Sequence, residues 1–370
     1  MKKASLFTFL VVMLFINISA QEAHFKYWHE GKLTWNDFKG EKGFPLLDSE
    51  LKYFLTYASE KQKFNDTSVY RIYAKGYIDR DLSWSKTFKK TDQNLAYFQV
   101  VFDIVELQRR KLQNNLDRLD GVYNAENELR SAMDNCQKTL ADFKKESQQG
   151  ADTVAVQQWQ KAIQSELENM ADKCIPAFTK RNFGYGMHAG FGKGFNTGTL
   201  KDNFPSTFNF IYGFDLAYKD ITLFLCATLG SSKANRSYNG EIIIPKDERA
   251  GVAIVDVSFG YPVVNNAKFK LMPFAGLGIL EYSEKPEPDK TNYNSMVAPG
   301  FLFGLNTDYK ISKTLYFIPR TFLQTREYTE FSVRARLYVA HANLSPDLKG
   351  FSINLTLGVN MSGNIISLSK

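Results

Sequence analysis

Phe183-Gly184-Tyr185-Gly186-Met187-His188-Ala189-Gly190-Phe191-Gly192 places an apolar or aromatic residue at every second position and a glycine or polar residue between them. A period of two belongs to a β-strand whose two faces meet different surroundings. The pattern returns downstream. Phe208, Phe210, Tyr212, Phe214, Leu216 and Tyr218 alternate with Asn209, Ile211, Gly213, Asp215 and Ala217. After Lys219-Asp220, the residues Ile221, Leu223, Leu225, Ala227 and Leu229 carry one face onward. Three more stretches follow suit, from Ala253 to Tyr261, from Phe269 to Ile279 and from Val297 to Tyr309.

A sandwich in water alternates too, so the period alone does not place the sheet. Two features do. The apolar faces are almost free of charge over 9 to 11 residues, the length a tilted strand needs to cross a bilayer. The opposite faces carry Gly, Ser, Thr, Asn, Asp and Arg, which suits the interior of a narrow barrel and makes a poor sandwich core. Connections are expected to alternate between short (Lys219-Asp220, Pro262 to Ala267, Lys310 to Lys313) and long (Asn196 to Ser206, Ser231 to Arg249, Ser283 to Asn294). Six strands precede residue 310, and Leu315 to Gln324, Phe331 to Ala340 and Phe351 to Asn360 make nine. Closure favours an even number. Eight is the favoured count, and ten results if the tail from Asn364 to Leu368 forms a strand.

Over about 185 residues, this region resembles the small OmpA-like outer-membrane barrels of Gram-negative bacteria. The resemblance implies a lumen filled by side chains. Inward Asp256, Arg334 and Arg336 are expected to pair with charges there, and His188 and His341 to be structural.

Residues 1–20 show Lys2 and Lys3, an apolar run from Leu6 to Ile16, then Ile18-Ser19-Ala20, the order of a secretory signal peptide. Export makes a disulfide chemically accessible. Cys226 falls in a strand, which leaves Cys136 and Cys174 as the candidate pair. They flank a helical hairpin turning near Gly150 with a mismatch of about ten residues, about 15 Å at helical rise, and set against the oxidising compartment this leaves the bridged and free forms equally open.

The first half reads differently. Short strand-like segments near Lys52 to Tyr57 and Ser68 to Ile78 precede Thr91-Asp92, a good helix start. Three helices are expected, from Gln93 to Leu119, Val122 to Lys145 and Thr153 to Met170, separated by Asp120-Gly121 and Gln149-Gly150. The fold class is therefore multi-domain: an α+β, mostly helical domain (21–175), a linker (176–182) and an all-β antiparallel transmembrane barrel (183–370).

Four features of the first half carry a second resemblance. They are Leu33-Thr34-Trp35-Asn36-Asp37-Phe38-Lys39-Gly40, Ser83-Trp84 ahead of the long helix, Phe102-Asp103-Ile104-Val105-Glu106-Leu107 with Arg110-Lys111-Leu112, and Gln158-Trp159. Residues 28–172 resemble a bacterial family of secreted zinc-dependent proteases. In that family H-E-x-x-H stands just before the F-D-I string, two His one turn apart holding zinc while the Glu activates water.

This chain departs at those positions. Tyr97, Phe98 and Val101 replace His, Glu and His, and Gln149 stands where relatives carry a further His. His24 and His29 are the remaining histidines of this domain. The resemblance thus implies a domain kept for its shape, with no catalytic residue, no cofactor and no metal. Asp103 and Glu106, three apart on one helix face, are expected to be solvated or capping residues.

Forty-six basic against 39 acidic residues give a net charge of +7. The excess sits in the second half, where 20 basic face 15 acidic groups. Basic residues are dispersed, and export removes nucleic acid from the expected partners. No glycine-rich phosphate loop precedes a helix, and no G-x-S-x-G elbow occurs. The expectation is a non-enzymatic outer-membrane scaffold whose periplasmic domain binds another envelope protein or an exported chain, with outer-membrane lipid around the barrel. The alternatives are a small-solute transport barrel and a residual zinc peptidase.

Overall fold

The computed structural model describes residues 24–41, 47–119, 122–172, 175–284, 294–319 and 325–368, so the expected signal peptide lies outside it. The chain divides into two compact units. One comprises residues up to Lys61 with Tyr70–Pro176, and the other Gln62–Val69 with Ala177–Lys370.

The first unit packs helices on an antiparallel sheet. Strand β1 (Phe25–Tyr27) and strand β2 (Tyr53–Phe64) each pair with β3 (Thr67–Asp79). Helix α1 (Asp92–Arg118) starts where Thr91 accepts a hydrogen bond from the Asn94 N–H, an N-cap that satisfies one orphan amide. Its middle, from Tyr97 to Gln108, is buried throughout, because the sheet covers one side and two helices the other. Those helices are α2 (Ala125–Glu146) and α3 (Thr153–Asn169). Apolar residues at helical spacing on α2, namely Ala132, Cys136, Leu140 and Phe143, face the core, and Val156, Ile163 and Leu167 do so on α3. The three expected helices are thus present, and the Gln149-Gly150 turn between α2 and α3 has φ of +58° and +91°.

The second unit is a closed ring of eight antiparallel strands: β4 (Phe178–Asn196), β5 (Ser206–Tyr218), β6 (Ile221–Lys233), β7 (Arg249–Gly260), β8 (Phe269–Ser283), β9 (Ser295–Tyr316), β10 (Glu327–Ser345) and β11 (Leu348–Leu368). Neighbours in sequence pair, and β11 closes on β4 with Gly358 opposite Gly190. Eight is the favoured count. Because β4 begins at Phe178, most of the expected linker is already strand. Asn364 to Leu368 is the end of β11 and makes no tenth strand. Leu315 and Tyr316 end β9, and residues 320–324 of the expected separate strand lie outside the described residues.

Lys310 to Lys313, expected as a turn, is instead a bulge inside β9, where the register with β10 slips between Lys310 and Ser312. The expected alternation of connections also breaks at the last hairpin, where only Pro346 and Asp347 join β10 to β11.

Outward faces are apolar and bare: Phe191, Phe208, Leu277 and Leu357 are each more than half exposed. A belt of this kind, running round the ring, suits a lipid surround and is far larger than the apolar patches of proteins in water. Inward faces hold the expected polar layer, but it fills only part of the lumen. Toward the end away from Phe178 the interior is apolar, with Leu280, Tyr282, Met296 and Ala342 packed together. A short helix α4 (Gly198–Asn203) lids this end through Leu200, and Phe204 packs on Tyr282 with ring centroids 4.9 Å apart. Asn196 Nδ2 fixes the lid by donating to the Phe204 carbonyl at 2.6 Å and to Tyr282 Oη at 2.8 Å.

Candidate functional site

Tyr97, Phe98 and Val101 lie on one face of α1, since positions i, i+1 and i+4 of a helix share a side. Gln149 arrives from the turn after α2. The structure brings all four to the wall of one cleft of about 850 Å³. Closing that turn requires Gly150 beside Gln149, and Gln93 Nε2 donates to the Gly150 carbonyl at 2.8 Å, tying the turn to the start of α1. Another part of the wall is the chain from Leu47 to Leu55, which brings Asp48 and Glu50 to the cleft and runs into the start of β2. Among the described residues β2 pairs with β3 and with no other strand, so one edge of β2 has no strand partner. From α2 come Met133, Cys136, Gln137 and Leu140.

The wall is apolar where a metal centre would need ligands. Tyr97 stacks on Phe143 with centroids 5.0 Å apart, and burial raises its phenol pKa. Cys136 is a free, buried cysteine whose thiol burial pushes up to about 11. Its expected partner Cys174 lies outside the described residues. Among those residues no three His, Cys, Asp or Glu side chains converge as a metal site would require. His24 pairs with Asp81, and His29 stacks on Tyr27.

Asp103 and Glu106 correct an expectation. Both are buried instead of solvated. Asp103 accepts from Trp28 Nε1 at 2.8 Å and Gln99 Nε2 at 2.7 Å, while Glu106 forms ion pairs with Arg109 and Arg110 at 2.7 Å. Burial raises the Asp103 pKa, and the two donors oppose it. These conserve the shape of α1 against its neighbours and leave neither carboxylate facing the cleft. Trp159 Nε1 donates to Glu146 at 2.7 Å, joining α3 to the end of α2.

In the barrel, Arg334 meets Asp215 and Asp308 at 2.7 Å each, and Arg336 meets Asp256 at 3.0 Å. His188 Nδ1 lies 3.2 Å from Asp215. The three inward charges singled out from the sequence are therefore partnered in the lumen, as expected. His341 lies flat on Phe301, centroids 5.0 Å apart.

What the sequence missed is the other half of the cleft. The apolar spacing of Cys136, Leu140 and Phe143 shows a buried face, but not that its rim borders a cavity.

No protein-family model matches the chain, and no curated protein is similar to it. Solved structures similar to the C-terminal half are β-barrels. Neisserial surface protein A is 10% identical, covering 50% of this chain and 97% of its own, with a TM-score of 0.30. The attachment invasion locus protein Ail of Yersinia pestis is 10% identical over 52% of this chain and 100% of its own, TM-score 0.27. The outer membrane protein OprG of Pseudomonas aeruginosa is 10% identical over 51% and 98%, TM-score 0.28.

Proposed function

We propose that this chain is a non-enzymatic outer-membrane adaptor. The barrel anchors it in lipid, and the N-terminal unit, in the periplasm, holds an extended segment of another envelope protein or exported chain in its cleft. One observation carries this reading: the four positions that a zinc protease would use line a single cleft of about 850 Å³, yet present a phenol, a phenyl, an isopropyl group and an amide. Those four side chains offer no histidine or carboxylate to hold a zinc ion, so they give no metal-activated water. The cleft does offer an apolar wall beside a strand with one unpartnered edge, the two elements by which an extended peptide is bound through strand addition.

The apolar outward belt supports the anchoring role. The packed, lidded lumen supports anchoring over conduction.

The test places a photo-crosslinking residue at the cleft rim of the full-length protein, Met133→benzoylphenylalanine, in native membranes. The same replacement at fully exposed Tyr123 is the control. One discrete adduct from position 133 and none from 123 is the expected result, and mass spectrometry identifies the partner. The reading fails if no adduct forms, or if the purified protein carries about one zinc per chain and cleaves peptides until chelated.

A further inference from the structure

At the end of the barrel where β4 begins, the lumen opens into a second cavity of about 300 Å³. At about 30 Å³ each it has room for about ten waters. Its wall carries five cations, Lys180, Lys270, Lys310, Lys313 and Arg334, and two carboxylates, Asp215 and Glu330.

The pairing among these charges is uneven. Lys310 is neutralised by Glu330 at 3.3 Å, and Lys313 by Asp66 at 2.8 Å, a residue of the 62–69 segment that belongs to this unit. Arg334 takes Asp215 and Asp308. Lys270 is left over. Asp308 stands opposite it in the β8–β9 register, yet gives both its oxygens to Arg334, at 2.7 and 3.0 Å. Lys180 rests over the Tyr328 ring, 3.3 Å from the centroid. Neither Lys180 nor Lys270 forms an ion pair among the described residues.

With Asp66 and Asp308 counted, five cations face four carboxylates, so the wall stays positive and two ammonium groups keep their donors free. Lys270 is half-buried with no protein acceptor, so its ammonium depends on what the cavity holds, and Lys180 at the rim adds a second positive charge beside it. Oxyanions supply the acceptor best, through short charge-assisted hydrogen bonds.

We infer that this cavity binds a phosphate-type oxyanion seated between Lys180 and Lys270. The paired cations Lys310, Lys313 and Arg334 fix the shape of the wall and repel cations. The volume exceeds what a bare phosphate fills, leaving space for an ester substituent. The same group arrives either as free phosphate or as the headgroup of a phosphate-monoester lipid at the barrel mouth.

The test uses the full-length protein in nanodiscs. In phosphatidylcholine discs, inorganic phosphate is titrated by calorimetry. In discs containing phosphatidic acid and no free phosphate, lipid retained per chain is counted. The expected result is one saturable site in at least one arm, weakened tenfold or more by Lys270→Gln and by Lys180→Gln. Lys268→Gln, exposed and outside the cavity, leaves it unchanged. Binding in the first arm assigns free phosphate, and binding in the second alone assigns the headgroup. Lys180 stands at the exposed rim, so its variant reports even if Lys270→Gln disturbs the barrel. No saturable site in either arm overturns the inference, as does equal weakening by Lys268→Gln, which reveals only general attraction to a basic surface.

Discussion

Gly150 lies against the ring of Tyr97: a β-carbon at Gly150 would stand 3.0 Å from Tyr97 Cγ, and Gly150 itself takes a φ of +91°. The turn after α2 and the α1 face that the protease resemblance assigns to zinc are thus interlocked. A phenol ring fills the space between them. Gly150→Ala is penalised twice, by the left-handed backbone and by the ring. It is expected to destabilise the N-terminal unit by about 1–3 kcal/mol. Tryptophan fluorescence during urea unfolding reads this unit alone, because Trp28, Trp35, Trp84 and Trp159 all belong to it. An unchanged midpoint would mean the turn can swing clear of Tyr97.

Two buried carboxylates of this unit respond to pH in opposite senses. Burial works to raise the Asp37 pKa, but the Thr34 N–H at 2.8 Å and the Lys26 ammonium at 3.0 Å outweigh it and hold it below the usual value. Its stabilisation is therefore complete above about pH 4 and is lost as the pH falls through its lowered value. Asp37→Asn strands Lys26, itself buried, and is expected to cost about 3–5 kcal/mol at pH 7. The variant's stability should also vary less below pH 4. For Asp103, raised by burial, stability is complete below about pH 4 and lost as the pH climbs through its raised value. Asp103→Asn keeps an oxygen for Trp28 and Gln99, and is expected to raise the unfolding midpoint at pH 7. A fall there would show that the carboxylate charge, and not its oxygen, holds Trp28.

Cys136 offers a chemical readout of the cleft. With its thiol at about 11, the thiolate fraction at pH 8 is about one in a thousand, so alkylation by iodoacetamide is expected to be slow in the folded protein. Unfolding should speed it by orders of magnitude. Gly150→Ala, by loosening Tyr97, should speed it in native conditions. Prompt labelling of native wild type would contradict the packing of α2 against α1.

The barrel was legible because its two surroundings differ so sharply that Phe183 to Gly192 carries both in alternate letters. Where that contrast fades, the reading fades too. In β8 the inward Met272, Phe274 and Leu280 are as apolar as the outward Leu277 and Ile279, so the apolar, lidded half of the lumen left no signature. The polar run Lys310 to Lys313 imitates a turn because a bulge puts consecutive polar residues on a continuing strand. In the first unit the caps and turns were local and readable, Thr91 and Gly150 among them. The cleft was not. Its walls come from the chain leading into β2, from α1 and from α2, and only packing shows that Leu51 and Val101 line one space. Lys270 was unremarked for a similar reason: its lack of a partner depends on where Asp308 turns.

Arg336 and Asp256 test the polar layer of the lumen. Both are fully buried, 3.0 Å apart, with the guanidinium 4.0 Å from the Phe274 ring centroid. Asp256→Asn leaves the guanidinium with no counter-charge and is expected to destabilise the barrel by about 3–5 kcal/mol. Asp256→Leu combined with Arg336→Met removes both charges and should recover most of that loss, since an apolar pair of similar volume replaces the ion pair. Gel mobility of unheated samples across a urea series measures it. A double variant no better than the single would indicate that Arg336 is held by the aromatic rings more than by the carboxylate.

Conduction separates the anchoring role from transport. Along the axis a solute meets first the paired charges around Arg334 and Arg336, then the apolar plug of Met296, Tyr282 and Phe204, then α4 held by Asn196. A hydrated ion passing the plug has no polar partner there, and an apolar constriction of this kind excludes water. Planar-bilayer recordings of the full-length protein are therefore expected to show no steady ohmic conductance. Phe204→Ala with Tyr282→Ala removes two facing rings and should admit brief openings. Steady conductance in the wild type would make the lid mobile on the time of the recording and return the barrel to a transport role. Silence in the wild type with openings in the double variant locates the block at Phe204 and Tyr282.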